Sequence, residues 1–368
     1  MTRQVPVGIV GCGNISDAYF AGAKNYDVLK LVACADLDPA RARAKAEQHG
    51  LRACATVADL LHDPAVEVVV NLTVPRAHAE VNLAALAAGK HAYCEKPFAL
   101  NSADGAAVLA LAARQGLLVG SAPDTVLGGG LQAARQAVDT GAIGRPVAAL
   151  AFMMCRGHES WHPSPQFYYQ RGGGPMFDMG PYYLTALIHL LGPVRRVSGS
   201  TSAALPERLI TSQPLHGTRI PVETPTHLTG TLDFAGGGTA TLVMSFDTWP
   251  YPLPCLVLFG TDGTLEVPDP NGFGGAVRLR RAGEPGYTEL PPTHPAARGR
   301  GTGVADLAYS ILRRERAHRA HGRLAAHVVE IMESFERSSV TGQHVTLTTT
   351  CERPAALPAG LGAHELDP

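Results

Sequence analysis

Gly11-Cys12-Gly13-Asn14-Ile15-Ser16 follows an apolar run, Val5–Val10, and opens onto a helical stretch. Glycines at the first and third places of such a turn permit a tight reversal and a bare backbone, and the first amides of the next helix point outward at the positive end of its dipole. That is the chemistry of a pyrophosphate cradle, with Ser16 small enough for close helix–strand contact. Asp36 ends the next apolar run, 20 residues beyond Ser16, where a carboxylate hydrogen-bonds an adenosine ribose 2′-hydroxyl. Asp38 adds negative charge that disfavours a 2′-phosphate, so NAD is the expected dinucleotide, with Arg41 and Arg43 keeping NADP as the minor option. Gly11, Gly13, Asn14, Ile15 and Asp36 are the cofactor residues of this pattern; the bland alternative is a glycine turn with a capping aspartate.

Two further groups carry chemistry. The chain has only five lysines among its 31 Lys and Arg residues, at 24, 30, 45, 90 and 96. Lys96 is the last, beside Glu95 and Pro97 at the end of an apolar run, and Lys can release a proton where Arg cannot. Seven of the 22 Phe, Trp and Tyr residues fall between Trp161 and Tyr183. Sugars present flat C–H faces to such rings and leave hydroxyls for polar neighbours. Trp161, His162 and Tyr168 are the substrate candidates here, with Arg156, His158, Glu159 and Asp124 as polar neighbours, against the alternative of aromatic core. The His158/His162 spacing also invites a metal, but Pro163 and Pro165 mark a loop and too few donors are present for a zinc set; no metal is expected.

Elements must position these groups. Apolar runs at Val5–Val10, Leu29–Ala35, Val66–Leu72, His91–Cys94 and Leu117–Gly120 alternate with amphipathic stretches Asp38–His49, Arg76–Ala88 and Ser102–Gln115. Buried strands alternating with helices predict a doubly wound parallel sheet, an α/β Rossmann domain over residues 1–122. Beyond it, a helix at Leu131–Thr140 leads into β-type sequence at Val147–Met154, Val197–Ala203, Leu228–Phe246 and Pro254–Val267. Helices are expected at Tyr182–Leu191 and Leu324–Ser338, and Pro268–Arg300 reads as a surface excursion. Residues 123–368 are thus expected as an α+β substrate-binding and oligomerisation domain with a large, mostly antiparallel open sheet.

Composition excludes several classes. The formal net charge of −1 offers no footprint for nucleic acid or an anionic membrane. The basic run Arg313–Arg319 reads as a solvated helix face. No apolar stretch approaches a bilayer span, the first strand leaves no room for a leader, and seven cysteines without a CxxC pair argue against a disulfide framework. A reducing cytoplasm fits.

Two blocks then carry a resemblance. Asn71-Leu72-Thr73-Val74-Pro75…His78 before Glu95-Lys96-Pro97, and Gly172-Gly173-Gly174-Pro175-Met176-Phe177-Asp178-Met179-Gly180-Pro181-Tyr182 further on, resemble the Gfo/Idh/MocA family, the group that includes glucose–fructose oxidoreductases and inositol dehydrogenases. The resemblance runs from Val5 to about Pro354. It implies that Thr73, Pro75, His78 and Glu95 line the cofactor, and that Lys96 sits beside the nicotinamide and the reacting carbinol. It implies that Asp178 is a second active-site group and that Tyr182 stands where the family most often has a histidine proton acceptor. Thr185 replaces an aspartate of many members, so a substrate cannot be carried over from the inositol enzymes. The implied activity is NAD-dependent hydride transfer to or from a secondary hydroxyl of a sugar, sugar derivative or cyclitol, by a homodimer or homotetramer. The alternatives are redox-assisted glycoside cleavage with bound, recycled NAD, and a nicotinamide sensor without turnover, for which Lys96, Asp178 and Tyr182 would be superfluous.

Overall fold

Val- and Ala-rich runs become strands where both their faces are sealed, and the alanine-rich segments between them become helices. The computed structural model describes residues 3–249, 251–295 and 298–367. Its strands in chain order are β1 (Val5–Val10), β2 (Leu29–Ala35), β3 (Arg52–Ala53), β4 (Val68–Asn71), β5 (His91–Cys94), β6 (Val119–Ser121), β7 (Pro146–Met154), β8 (Val194–Ser202), β9 (Glu207–Leu209), β10 (Arg219–Pro221), β11 (His227–Phe234), β12 (Thr239–Ser245), β13 (Leu256–Gly260), β14 (Gly263–Val267), β15 (Arg278–Arg281), β16 (Thr288–Glu289) and β17 (Val345–Thr346). The α-helices are α1 (Ser16–Ala23), α2 (Pro39–His49), α3 (Val57–Leu61), α4 (His78–Ala87), α5 (Ser102–Gln115), α6 (Gly129–Asp139), α7 (Gly174–Leu191), α8 (Thr302–Leu312) and α9 (Gly322–Thr341). Contacts divide the chain into one unit of Met1–Gln132, Thr293–Val329 and Pro354–Pro368, and a second of Ala133–Pro292 and Glu330–Arg353.

The first unit is built on a six-stranded parallel sheet of order β3-β2-β1-β4-β5-β6, the doubly wound arrangement that the alternation of strands and helices predicts. The register aligns Ala35, Val10, Asn71, Cys94 and Ser121 in one row. The loops that begin with Asp36, Gly11, Leu72 and Glu95 therefore leave the sheet at a common edge, the carboxyl end, where open α/β sheets bind ligands.

This unit is not limited to residues 1–122. Residues 293–329 and 354–367 return to it. Gly120 bridges His321, Tyr26 Oη lies 2.6 Å from Thr302 Oγ1, and Arg300 Nη1 donates to the fully buried Asp124 at 3.1 Å. The run Arg313–Arg319 is not a solvated helix face either. α8 ends at Leu312, and Arg316 and Arg319 turn inward onto buried Asp306, with Arg319 Nη1 2.8 Å from its Oδ1. Arg319 Nη2 also donates to Asp367 at 2.8 Å. Desolvating Asp306 demands cationic partners, and these arginines supply them; a sequence window cannot see that demand.

The second unit carries a nine-stranded sheet of order β16-β15-β14-β13-β7-β12-β11-β8-β17, in which β12 and β7 are the parallel pair and the others are antiparallel. Segment Pro268–Arg300 is more than an excursion. Within it β15 and β16 extend the sheet edge, while its residues Ala296 and Ala297 lie outside the described residues. α7 starts eight residues before the predicted Tyr182, because Pro175 sits at a helix start that tolerates it and Pro181 is absorbed inside the helix. Proline lacks the N–H of a helix interior and usually ends one, which is why the pattern misplaced the start.

Candidate functional site

The glycine turn of the first unit is built for two different reasons at its two glycines. Gly11 has φ +97°, and a side-chain carbon there would lie 2.6 Å from the Leu72 carbonyl. Gly13 has no such constraint; a Cβ would project into open space. Its bareness serves no neighbour within the chain. Ser16 is buried and donates to the Gly13 carbonyl at 2.6 Å, closing α1 onto the turn. No side chain caps α1, whereas Asp38, Thr56 and Asn101 cap α2, α3 and α5. The Ser16 and Ala18 amides turn back to the Gly13 and Ile15 carbonyls at 3.0 and 3.2 Å, and no side chain competes with an anion at this helix start.

Asp36 closes the other side of the crevice. Its Oδ2 accepts the Cys12 N–H at 2.7 Å and its Oδ1 accepts the Asp38 N–H at 2.8 Å. Each carboxylate oxygen retains a further lone pair for a ribose hydroxyl. Arg41, one of the two cations that keep NADP open, is turned to Asp38 Oδ2 at 3.2 Å. Among the described residues of this unit, the exposed large apolar side chains are Ile15, Leu37 and Val74, with Leu37 at 95% exposure. All three stand at the carboxyl ends of β1, β2 and β4, where an adenine and its linker would cover them. The residues present fit a dinucleotide.

The loops after β4 and β5, the expected nicotinamide end, are organised by buried polar groups. Thr73 Oγ1 donates to Asn71 Oδ1 at 2.7 Å, and Asn71 Nδ2 donates to the His78 carbonyl at 3.0 Å. The buried His78 ring lies 2.7 Å from the Pro97 carbonyl through Nδ1 and 2.9 Å from the Thr73 carbonyl through Nε2. Burial pulls its pKa down while the two carbonyls oppose this. His78 therefore ties the loops after β4 and β5 together. Glu95 is likewise buried. It accepts from Tyr19 Oη at 2.8 Å and from the Lys96 N–H at 2.9 Å, and so fixes Lys96 to the helix that follows the glycine turn. Lys96 itself is half-buried. Asp124 is no substrate neighbour: Arg300 and the Gly303 N–H occupy it.

In the second unit, Asp178 and Tyr182 lie one turn apart on α7, so their side chains share a face. Tyr182 is 5% exposed. Asp178 Oδ2 lies 3.1 Å from His158 Nε2. The His158 ring meets Tyr168, Phe246 and Trp161 edge-on, with centroids 4.4, 4.6 and 5.1 Å away. Trp161 is 61% exposed, and Phe167, 4.0 Å from Tyr168, is exposed as well. Trp161, His162, Tyr168 and Asp178 are thereby brought into one cluster. His162 is held below the ordinary histidine range by burial, with its Nδ1 accepting the Ser164 N–H at 3.0 Å.

Other predicted neighbours have structural duties. Tyr169 donates to Glu159, and Arg208 spans Glu159 and Asp247 beneath the loop. Arg208, on the β9–β10 hairpin, was missed by sequence reasoning, and so was the partnership of His158 with Asp178. Twenty residues separate that pair in the chain, and no local pattern joins them. Among the described residues no group of three or more His, Cys, Asp or Glu side chains is placed to hold a metal ion, and no helix is long and apolar enough to cross a membrane. All seven cysteines are free thiols.

Comparison with known proteins agrees with this geometry. Residues 5–122 match the oxidoreductase family with an NAD-binding Rossmann fold, and residues 131–266 match the GFO/IDH/MocA C-terminal domain. A 1,5-anhydro-D-fructose reductase of Ensifer adhaerens is 28% identical over 218 residues, 58% of this chain and 65% of that protein. An inositol 2-dehydrogenase of Ralstonia nicotianae is 35% identical over 152 residues, 40% of this chain and 44% of that one. The chain thus spans between about half and two-thirds of the length of these relatives. The crystal structure of an NAD binding oxidoreductase from Klebsiella pneumoniae superposes with a TM-score of 0.77 at 23% identity, covering 94% of this chain and 99% of that one.

Proposed function

Because the chain belongs to the GFO/IDH/MocA family of NAD-binding oxidoreductases, we propose that it transfers a hydride between a secondary hydroxyl of a sugar, sugar derivative or cyclitol and a nicotinamide held by its first unit. The observation that carries this reading is the first unit's crevice, where Asp36 is hydrogen-bonded to a glycine turn whose Gly13 faces open space and whose rim exposes Ile15, Leu37 and Val74.

Gly11, Gly13, Asn14 and Ile15 hold the pyrophosphate, and Asp36 takes the ribose hydroxyls. Thr73 and Pro75, with the Glu95–Lys96 backbone, border the nicotinamide, which when bound supplies the hydride acceptor or donor. Tyr182 takes the hydroxyl proton as the carbinol is oxidised, and Lys96 stabilises the oxyanion that develops; in reduction Lys96 polarises the carbonyl. Asp178 orders the substrate end, and Trp161, His162 and Tyr168 bear on the sugar ring. The aromatic cluster around His158 supports a polyol, since rings left open beside polar atoms suit its C–H faces. The same reading has the chain working as a homodimer or homotetramer in a reducing cytoplasm, where seven free thiols persist.

A panel of sugars and cyclitols followed at the NADH absorbance band, with NAD and with NADP, tests it. Net NADH from at least one polyol is expected. Cleavage of a glycoside without net NADH would move the reading to redox-assisted elimination, and inertness toward every compound with NAD tightly bound would leave a sensor.

A further inference from the structure

We propose that Nδ1 of His158 is the atom that accepts a substrate hydroxyl, and that Asp178 serves as the group that sets this imidazole's tautomer. The inference rests on the sugar or cyclitol reading above and narrows it: the ligand is a polyol ring that lays a C–H face on aromatic rings while donating one O–H to His158.

The geometry makes the assignment. His158 Nε2 lies 3.1 Å from Asp178 Oδ2, with both side chains largely buried, at 12% and 14% exposure. A carboxylate can only accept, so Nε2 carries a hydrogen, and an imidazole with its single N–H there keeps its lone pair at Nδ1. Among the described residues, Nδ1 has no hydrogen-bond partner, and it is not one of the unpartnered polar atoms sealed from solvent. Buried polar atoms with only a structural duty are as a rule hydrogen-bonded within the protein.

The surroundings fit a polyol. Trp161 and Tyr168 flank the ring edge-on, and Trp161 leaves much of its surface open. Neighbouring polar groups are already engaged: Glu159 with Tyr169 and Arg208, and His162 Nδ1 with the Ser164 N–H. An imidazole lone pair beside open aromatic faces recognises a hydroxyl donor on an otherwise flat ring.

The test reads binding and turnover separately. The chain has two tryptophans, so in a Trp249→Phe protein loaded with NAD, Trp161 emission reports ligand at this cluster. D-Glucose, myo-inositol and their mono-deoxy and mono-fluoro analogues are titrated against this protein and against the same protein carrying His158→Gln, whose amide still donates to Asp178. At one ring position the deoxy and fluoro analogues should both bind about tenfold or more weakly, because fluorine accepts but does not donate. His158→Gln should weaken the parent polyol by the same factor and leave those two analogues unchanged. A fluoro series that binds like the parents, an unchanged parent Kd in His158→Gln, or no response of Trp161 to any of these compounds overturns the inference. NADH formation with a Kd and KM indifferent to His158→Gln overturns it alone and leaves the hydride-transfer reading standing. The analogue pattern without NADH from any polyol supports His158 and overturns the hydride transfer.

Discussion

The backbone N–H of Cys12 donates to Oδ2 of Asp36 at 2.7 Å, so the middle of the glycine turn is held by the same carboxylate that is proposed to take the ribose hydroxyls. Two strands that are neighbours in the sheet thereby share one anion at their ends. Asp36→Ala removes both a ribose acceptor and the support of the turn, whose charge-assisted hydrogen bonds contribute about 1.5–3 kcal/mol each. NAD binding should fall by about tenfold or more, NADP binding by less, and the preference for NAD should narrow. Calorimetric Kd values for both dinucleotides check this; tighter binding of NADP than NAD by the parent protein removes the basis of the prediction.

Lys96→Met should lower turnover by about 10² or more, the usual loss when a positioned acid–base or electrostatic group is deleted. NAD affinity should stay within a few-fold, because Glu95 anchors the loop through the backbone N–H of residue 96 and not through the ammonium. Steady-state kinetics alongside an NAD titration separate the two effects. Nearly intact turnover would leave Lys96 a structural residue.

Tyr182→Phe keeps the buried ring and deletes its hydroxyl. Oxidation should drop by about 10²–10⁴ with the melting temperature little changed. Tyr182→His should restore part of the rate with the basic group's limb at lower pH, since a free imidazole titrates near 6.5 and a free phenol near 10. A Phe variant within a few-fold of the parent would show that Tyr182 only lines its surroundings.

Arg208 is buried on Glu159 and Asp247. Arg208→Met leaves two carboxylates without their cation, a change that costs about 3–5 kcal/mol when a buried pair is broken. Urea unfolding should show a lower midpoint, and the loop bearing His158 and Trp161 should become protease-sensitive. An unchanged midpoint would mean that the cluster adds no stability.

Acid should destabilise the fold from near neutrality. Burial lowers the pKa of His78, His294 and His318, so below about pH 6.5 the unfolded chain binds more protons than the native one and stability falls with pH. Asp367 extends the loss to lower pH. Burial opposes its ionisation, but the hydrogen bonds and charges of Arg319 and Arg316 hold its carboxyl below the ordinary range. The melting temperature should decline steadily from pH 7 to pH 5, less steeply in His318→Gln. A flat profile would show that these imidazoles are not linked to folding.

The first sheet was legible in the residues themselves. Alternation between apolar runs and alanine-rich stretches repeats locally, and the glycine turn, Asp36, Lys96, Asp178 and Tyr182 could each be named from short patterns or from the family those patterns resemble. These features depend on φ, ψ and hydrophobic period over a few residues, which neighbouring sequence specifies. What tertiary structure alone decided is which polar groups face one another. His158 reaches Asp178 across 20 residues and Asp124 finds Arg300 across 176, while His78 and Glu95 turn inward to hold loops. A buried charge must find its counterpart wherever the fold brings one near, and loop closure carries little information about which residues will meet. Asp38 and Asp124 read alike in sequence, yet one caps an exposed helix start and the other is sealed against Arg300.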